Sequence, residues 1–305
     1  MRRRDLLRGG AMAGAAAGLG ACAGARTVGF DPARRSLDIV NGAEPLTLDP
    51  QKASGTWENN IIGNMFVGLV TEDAKAGIAP GMATNWEMRP DGMVWTFHLR
   101  QAYWSDGEAC NAHDFVFAFQ RILDPANLAE YAALLYPIKN AEAINKGETA
   151  PREVGVYALD DRTLEIHLEH PTPYLPEMLK HQTCFPVPKH RVLEHGAAWI
   201  KPENIVVNGP FILEKWWSNY IIHLRRNPAF FDSRNVWLND LYFYPTGDPV
   251  TASRAVVTGE RGWSTNFPSN RIAELRRAVP GGVRVAPFLL VSYLSFNMTR
   301  APFDD

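Results

Sequence analysis

Hydrophobic and polar residues alternate along residues 94–100, which predicts a β-strand with one buried face. Trp95, Phe97 and Leu99 fall on one side of this strand, and polar or charged residues fall on the other. Three large apolar side chains on one side require a helix or a second sheet to cover them. The segment therefore predicts a half-buried strand that borders a hydrophobic core.

A helical pattern of apolar residues follows shortly after this strand. Phe115, Phe119 and Ile122 recur at the spacing of one helix face. Asn111 is placed to cap the first turn, and Asp114 stands at the third helical position. We expect this helix to pack its apolar face on the apolar side of the preceding strand.

Other alternating segments stand in pairs across short turns, which is typical of antiparallel hairpins. Two more segments have helical spacing and are followed by Gly or Pro. The predicted hairpins are 154–159 with 164–168 and 211–217 with 220–225, and the predicted helices are 249–258 and 269–278. This mixture of strands and helices predicts a mixed α/β (α+β) protein.

The composition is that of a folded protein with a sizeable core. The chain has 305 residues, of which 46% are hydrophobic, enough for one large domain or two modest ones. The formal net charge is −2, and both signs are mixed along the chain. No basic surface is available to hold a phosphate backbone, so nucleic acid is not an expected partner.

The first thirty residues differ from the rest. Arg2, Arg3, Arg4 and Arg8 precede a weakly apolar run of Gly, Ala, Met and Leu at 9–21. A basic region followed by such a run is typical of an export signal, and the run is too short to span a membrane as a helix. The paired arginines followed by two leucines resemble a twin-arginine signal. We therefore expect an exported protein.

The export signal ends in a second pattern. Leu19-Gly20-Ala21-Cys22 resembles a bacterial lipobox, in which Cys22 becomes the lipidated first residue of the mature protein. On this interpretation residues 1–22 are the signal with its lipobox, and residues 23–36 are a tether. The protein would then lie in the periplasm or cell envelope, anchored to the membrane by lipid.

The sequence contains no established catalytic motif. It lacks the Gly-x-Ser-x-Gly elbow, the phosphate-binding Gly-Lys-Ser/Thr loop, the dinucleotide Gly-x-Gly-x-x-Gly pattern and His-Glu-x-x-His. We therefore expect neither an enzyme nor a cofactor. Cys110 and Cys184 match no metal spacing, and two separate thiols are favoured over a disulfide.

Four histidines, His167, His170, His181 and His190, lie close together in the sequence. On a strand, His167 and His170 point to opposite faces, so they cannot form a metal site by themselves. We interpret all four as solvated surface residues and expect no bound metal.

Short phrases spread from about residue 38 to the end resemble the extracytoplasmic solute-binding proteins of the peptide/nickel family (family 5), and most closely its oligopeptide binders. They occur in the family's order and with similar spacing. The phrases include Leu48-Asp49-Pro50, Asn64-Met65-Phe66, Trp95-Thr96-Phe97, Trp104-Ser105-Asp106-Gly107, Gln120-Arg121, Asp124-Pro125, Phe185-Pro186-Val187-Pro188, Asn208-Gly209-Pro210-Phe211 and Ala301-Pro302-Phe303.

The resemblance implies a periplasmic binding protein-like fold of two lobes, with an extra small domain on lobe I. Carried over to this chain, lobe I comprises residues 37–60 and 170–250, and the extra domain comprises residues 61–169. Residues 251–305 would form the start of lobe II. It is longer in the family, so the resemblance implies a second lobe that is truncated in these 305 residues.

The resemblance also implies ligand-binding residues. A polar loop would contact the peptide backbone near its N-terminus, and a tyrosine would bond a peptide carbonyl. The implied peptide-binding residues are Ser54, Gly55, Thr56, Tyr131, Thr265, Asn266 and Ser295. An ordinary loop or core role for each stays open. Arg261-Gly262 replaces the family's usual apolar-Asp pair, and Ser295 stands where oligopeptide binders have an acidic residue, which leaves the side-chain preference open.

The implied function is to capture oligopeptides outside the cytoplasmic membrane and deliver them to the permease subunits of an ABC-type importer. The expected partners are the peptide, the permease and the membrane through lipid on Cys22, and the expected oligomeric state is a monomer. Alternatives are another solute on the same fold (a dipeptide, murein peptide, nickel chelate, haem or oligosaccharide), a receptor that signals occupancy to a sensor, or a periplasmic hydrolase.

Overall fold

The computed structural model of the protein describes residues 29–286 and 294–303. The predicted export signal and Cys22 lie outside the described residues. The described residues belong to two compact units that divide between Phe267 and Pro268. Within these residues, no helix combines the length and the apolar character needed to cross a membrane.

Strands and helices are mixed along the first unit. The strands are β1 Phe30–Asp31, β2 Ser36–Val40, β3 Val70–Glu72, β4 Ile78–Pro80, β5 Ala83–Met88, β6 Val94–Leu99, β7 Ala102–Tyr103, β8 Ala109–Cys110, β9 Val156–Asp160, β10 Thr163–His167, β11 Phe211–Trp217, β12 Ile221–Arg226, β13 Asp240–Tyr244 and β14 Trp263–Ser264. The α-helices are α1 Thr56–Met65, α2 Ala112–Leu123, α3 Ala141–Asn145, α4 Leu175–Met178, α5 Lys189–His195 and α6 Pro249–Val257. The predicted mixed α/β class is confirmed.

The largest sheet has the strand order β1-β2-β13-β12-β11, and β14 also pairs with β2. β2 is parallel to β13 and to β14, whereas the other pairs are antiparallel. The carboxyl ends of the three parallel strands therefore share one border of the sheet, which we call the carboxyl edge and define by Val40, Tyr244 and Ser264. The opposite border is called the amino edge.

A second sheet is antiparallel, with the order β5-β6-β10-β9. β6 shows the predicted alternation, with Trp95, Phe97 and Leu99 buried and its polar residues partly exposed. The predicted helix is α2, and its N-cap is a capping box: the Asn111 side chain accepts from His113 N, and the Asp114 carboxylate accepts from Asn111 N at 3.0 Å. Both predicted hairpins are also present, as β9–β10 and β11–β12.

One hydrophobic core connects both sheets of the first unit. It contains the buried faces of β6 and α2 together with residues of β2, β12 and β13. Trp104 and Trp199 are fully buried within it, and Trp199 packs edge-on against Phe66 at 6.2 Å. Cys110 and Cys184 are free thiols, as the sequence analysis favoured, and both are buried.

The second unit contains a 3-10 turn, Ser269–Arg271, that leads directly into α7, Ile272–Ala278. This agrees with the predicted helix over 269–278. The domain boundaries inferred from the family resemblance stay a prediction.

Two glycines allow a close backbone crossing beside β2. Gly29 O accepts from Asp38 N at 2.8 Å, and Asp38 O accepts from Gly262 N at 2.9 Å. A Cβ atom on Gly262 would lie 2.2 Å from Gly29 O. Only a residue without a side chain fits here, because the obstacle is backbone rather than a movable side chain.

Gly262→Ala is therefore expected to lower the free energy of unfolding by about 1–3 kcal/mol, the usual cost of forcing extra atoms into a packed site. The matched control is Gly63→Ala in α1, where a Cβ atom would meet nothing within 4 Å. Because helical alanine is favoured over glycine, the control should raise stability by about 0.5–1 kcal/mol. Urea melts that show the same sign for both variants would contradict the crossing.

Candidate ligand-binding site

The N-terminus of α1 lies at the carboxyl edge of the large sheet. Asn41 directly follows β2, and its side-chain Nδ2 donates to Trp57 O at 2.8 Å while its Oδ1 accepts from Asn60 Nδ2 at 2.8 Å. The Trp57 ring covers Gly42, where a Cβ atom would approach the ring to 2.5 Å. In open α/β sheets, ligands bind outside the carboxyl ends of the strands. We therefore expect a ligand site at this edge.

The Ser54-Gly55-Thr56 loop leads into α1 at this edge. Ser54 and Thr56 are exposed, and Gly55 is the N-cap residue, with extended φ and ψ of −94° and 156°. The backbone angles do not require glycine, but a Cβ atom would lie 2.1 Å from Oε2 of Glu58. Glu58 is buried, and its Oε1 accepts from Leu46 N at 2.9 Å. Gly55 thus makes room for a buried carboxylate, a reason that the sequence did not indicate.

The structure brings Tyr131 to the same loop, although 77 positions separate it from Ser54. The Tyr131 hydroxyl donates to Ser54 O at 3.4 Å, and 39% of the residue remains exposed. Its ring packs against the ring of His181 with centroids 4.8 Å apart. The ring and hydroxyl of Tyr131 are thus fixed beside the exposed loop, where a ligand could reach both.

His181 is half-buried beneath Tyr131, so the prediction of a solvated surface residue is wrong for this histidine. Burial lowers the pKa of its imidazole, which favours the neutral form at neutral pH. Nδ1 of His181 accepts from Thr183 N at 3.3 Å, so the ring proton is on Nε2. A neutral ring places no charge behind the candidate site.

The other three clustered histidines lie apart from the site. His170 is exposed, as predicted, whereas His167 and His190 are half-buried like His181 and each contacts a carboxylate, at 3.0 and 2.8 Å. Among the residues that the structure describes, no three His, Cys, Asp or Glu side chains are grouped as metal ligands would be. Burial raises the pKa of Cys184 to about 12, so this thiol is a poor nucleophile.

A buried ion pair between Arg121 and Asp49 stabilises the segment that leads to the Ser54-Gly55-Thr56 loop. Nη2 of Arg121 lies 2.6 Å from Oδ2 of Asp49, and Nη1 donates to Oε1 of Gln51 at 2.5 Å. Trp199 Nε1 donates to the same Asp49 carboxylate at 3.3 Å. Both charged residues occur in phrases that carry the family resemblance, but sequence reasoning did not pair them.

Thr265 lies at the carboxyl edge beside the end of β2. Its backbone N–H donates to Val40 O at 3.2 Å, and its hydroxyl is 3.3 Å from the same oxygen. Asn266 O accepts from the Ser264 hydroxyl at 2.5 Å. Thr265 and the first turns of α1 therefore contact consecutive residues, Val40 and Asn41. Ser295 is exposed in the second compact unit. The ligand-binding roles of all these residues stay predictions.

Arg261, one of the departures from the family pattern, faces the outside of the large sheet. Its guanidinium lies 3.7 Å from the centre of the Tyr244 ring and 3.7 Å from Oδ2 of Asp38. The neighbouring Gly262 makes the backbone crossing with Gly29. Arg261 and Gly262 thus both have packing roles in this chain.

The exposed groups at this edge are suited to a neutral, extended ligand. They comprise the hydroxyls of Ser54, Thr56 and Thr265, backbone groups of the loop, and the Tyr131 ring. Hydroxyls and backbone amides bond peptide main chain, and an aromatic ring packs on side chains of many kinds.

Comparison with known proteins gives the site a context. Residues 77–305 match the family described as bacterial extracellular solute-binding proteins, family 5 Middle. The chain is 38% identical over 276 residues to the periplasmic oligopeptide-binding protein OppA of Salmonella typhimurium, covering 89% of this chain and 51% of that protein. It is 38% identical over 268 residues to YgiS of Escherichia coli, a probable deoxycholate-binding periplasmic protein, covering 87% and 50%.

The fold of this chain is also similar to that of a solved structure. OppA of Haemophilus influenzae in complex with the peptide RPPGFSPFR matches with a TM-score of 0.84 and 37% identity, covering 89% of this chain and 54% of that chain. The chain thus spans about half the length of the relatives that it matches.

Proposed function

Because the chain belongs to family 5 of the bacterial extracellular solute-binding proteins, we propose that it captures peptides outside the cytoplasmic membrane and delivers them to an ABC-type permease. The observation that carries this proposal is the agreement with an oligopeptide-binding protein whose structure contains a nine-residue peptide, at a TM-score of 0.84 over 89% of this chain. The fold is that of periplasmic binding proteins.

The geometry of the carboxyl edge supports a peptide ligand. Ser54, Thr56 and Thr265 offer neutral hydrogen-bonding groups, and Tyr131 offers a ring held by two contacts. An extended peptide can bond such groups through its main chain while its side chains vary. Peptide binding would favour a closed conformation that the permease recognises. This role needs no covalent chemistry, so the protein would act as a binding component rather than an enzyme, and we propose that it does so as a monomer.

Calorimetric titration with peptides of two to nine residues tests the proposal directly. The protein, expressed from its complete gene, is expected to bind longer peptides with micromolar or tighter affinity. Deoxycholate serves as the comparison ligand, because one relative is described as its probable binder. Tight binding of deoxycholate with no binding of any peptide would overturn the proposed ligand.

Tyr131→Ala is expected to weaken peptide binding by about tenfold to a hundredfold, because the change removes a packed ring and a hydroxyl. Tyr157→Ala is the matched control. Tyr157 is 43% exposed and its ring also packs on a histidine, His167, with centroids 4.9 Å apart, but it belongs to the four-stranded sheet and not to the candidate site. Equal losses of affinity in the two variants would contradict the placement of the site.

We further propose that Cys22 carries lipid and that export follows the twin-arginine route, which places the protein in the periplasm and attaches it to a membrane. The support is the sequence pattern of residues 1–22 and the periplasmic location of the named relatives. Cell fractionation of the parent chain and a Cys22→Ser variant tests the anchor. The parent should sediment with membranes and the variant should remain in the soluble fraction; equal solubility would refute lipidation.

A further inference from the structure

An exposed pair of aromatic residues stands at the turn of the β11–β12 hairpin. Trp217 is 56% exposed and Tyr220 is 62% exposed, and their rings stack at 5.9 Å with an angle of 25°. Nζ of Lys215 lies 5.4 Å from the centre of the Trp217 ring. We call Trp217 and Tyr220 the aromatic tip. Two large rings left in water at one turn are not needed for the core, and exposed apolar clusters often mark binding surfaces.

The aromatic tip is held in place from both sides. The neighbouring Trp216 donates from Nε1 to Oε1 of Glu44 at 2.8 Å, which ties the hairpin to the loop that follows β2. Tyr220 N donates to Trp217 O at 3.0 Å, and Asn219 adopts a positive φ of 56° between them. The rings are therefore presented by an anchored turn, which reduces the entropy lost when a ligand binds.

The hairpin register places the aromatic tip at the carboxyl edge, along which the candidate peptide site also lies. Trp217 pairs with Ile221, the first residue of β12, and Ile222 pairs with Phe243 near the end of β13. β13 in turn pairs with β2 through Tyr244 and Val40. Three strand spacings therefore separate the end of β2 from Trp217, a distance of about 14 Å.

That distance can be spanned by a peptide of moderate length. An extended chain reaches about 3.3–3.6 Å per residue, so four to five residues cover about 14 Å. A peptide anchored beside the end of β2 would therefore reach the aromatic tip only if it had about five residues or more. A tripeptide, about 10 Å long, would not.

We propose that the aromatic tip, together with Lys215, binds the carboxyl-terminal part of longer peptides. This inference rests on the proposed peptide-binding function. The stacked rings contact an apolar or aromatic side chain of the peptide, and the Lys215 ammonium faces its terminal carboxylate. Charge supports this occupant, because the Lys215 ammonium lies 5.4 Å from the centre of the Trp217 ring and so places a positive charge beside the rings that contact the last side chains of the peptide. The contact would favour long peptides over short ones.

The same sheet provides a matched control at its amino edge. Phe30 and Trp237 are 42% and 49% exposed, and their rings lie 5.9 Å apart. Arg35 is placed over the Trp237 ring at 5.8 Å. This pair has the same chemistry as the aromatic tip, but Phe30 pairs with Leu37 near the amino end of β2 and Trp237 precedes β13, so the pair lies away from the candidate site.

The test compares two peptides, the nine-residue RPPGFSPFR and the tripeptide RPP, in calorimetric titrations of the protein expressed from its complete gene. In the double variant Trp217→Ala/Tyr220→Ala, the affinity for the nine-residue peptide should fall by about tenfold or more, since aromatic packing and enclosure are lost. The affinity for RPP should stay within about twofold. Trp237→Ala should change neither affinity.

The role of Lys215 has its own readout. Lys215→Ala should weaken binding of RPPGFSPFR with a free carboxylate and leave binding of its carboxyl-terminal amide unchanged. An equal effect on acid and amide would overturn this part of the inference.

The remaining outcomes are distinguishable. Absence of peptide binding by the parent protein would overturn the proposed function and the inference with it. Tight peptide binding by the parent, with equal losses for both peptides in the double variant, would overturn only the inference and point to a general role of the hairpin. Unchanged affinities with impaired peptide import would overturn it as well and assign the aromatic tip to permease contact.

Discussion

Arg121→Met is expected to lower the free energy of unfolding by about 3–5 kcal/mol, because it leaves the Asp49 carboxylate buried without its cation. The side chains of Arg121 and Asp49 are only 14% and 4% exposed. Water therefore cannot replace the lost guanidinium, and the Gln51 side chain loses its charged partner as well. Arg121→Lys should cost less, since it keeps the charge but cannot reproduce the paired contact in which Nη1 and Nη2 donate to Oδ1 and Oδ2 of Asp49 at 3.2 and 2.6 Å.

The same change should weaken peptide binding. Asp49 O accepts from the backbone N–H groups of Lys52 and Ala53, each at 3.0 Å, and so shapes the turn that presents Ser54. Arg89→Met is the matched control, because Arg89 also pairs with a carboxylate, Glu165, but is 54% exposed. It should cost about 0–1 kcal/mol. Chemical denaturation gives both values, and similar costs for the two arginines would show that the Asp49 pair is not a buried one.

Trp95→Ala is expected to cost about 3–5 kcal/mol, the usual loss for a large aromatic residue removed from a core. The residue is 8% exposed, and its ring stacks near that of Phe97 with centroids 6.3 Å apart. Its indole N–H also donates to Thr172 O at 3.2 Å, which links β6 to the segment before α4. The variant therefore loses both buried apolar surface and a buried hydrogen bond.

The neighbouring Thr96 provides the control, because it points to the opposite, partly exposed face of β6. Thr96→Ala should cost less than about 1 kcal/mol, close to the usual effect of a surface substitution. Denaturant midpoints and slopes measured on both variants separate a change in stability from a change in the unfolded state. Comparable losses at 95 and 96 would mean that the strand does not have one buried face.

Local structure was predictable where the signal lies within a few neighbouring residues. The alternation around Trp95 and the Asn111 cap with Asp114 each define an element by short-range geometry, and both are present as expected. The two hairpins were predictable for the same reason, since each turn joins strands that are adjacent in sequence.

Pairing between distant parts of the chain was not predictable. Nothing in the alternation of residues 36–40 specifies that β2 lies between β13 and β14. The half-buried position of His181 could not be predicted because Tyr131, whose ring packs on it, is 50 positions away in the sequence. The family resemblance pointed to Ser54 and Tyr131 separately, and the structure adds their direct contact. The support of the loop by Tyr131 could not be predicted from either residue alone.

The parallel pairing of β2 with β13 also determines when the large sheet can form while the chain is being synthesised. Ser36 must wait for Asp240, its partner 204 positions later in the chain. At about 5–20 residues per second, the ribosome needs on the order of 10–40 s to supply that partner. Throughout this interval the apolar Leu37 and Ile39 have no neighbouring strand on the β13 side. A nascent chain paused between these points presents an unpaired strand edge, the kind of surface that holdase chaperones protect from aggregation.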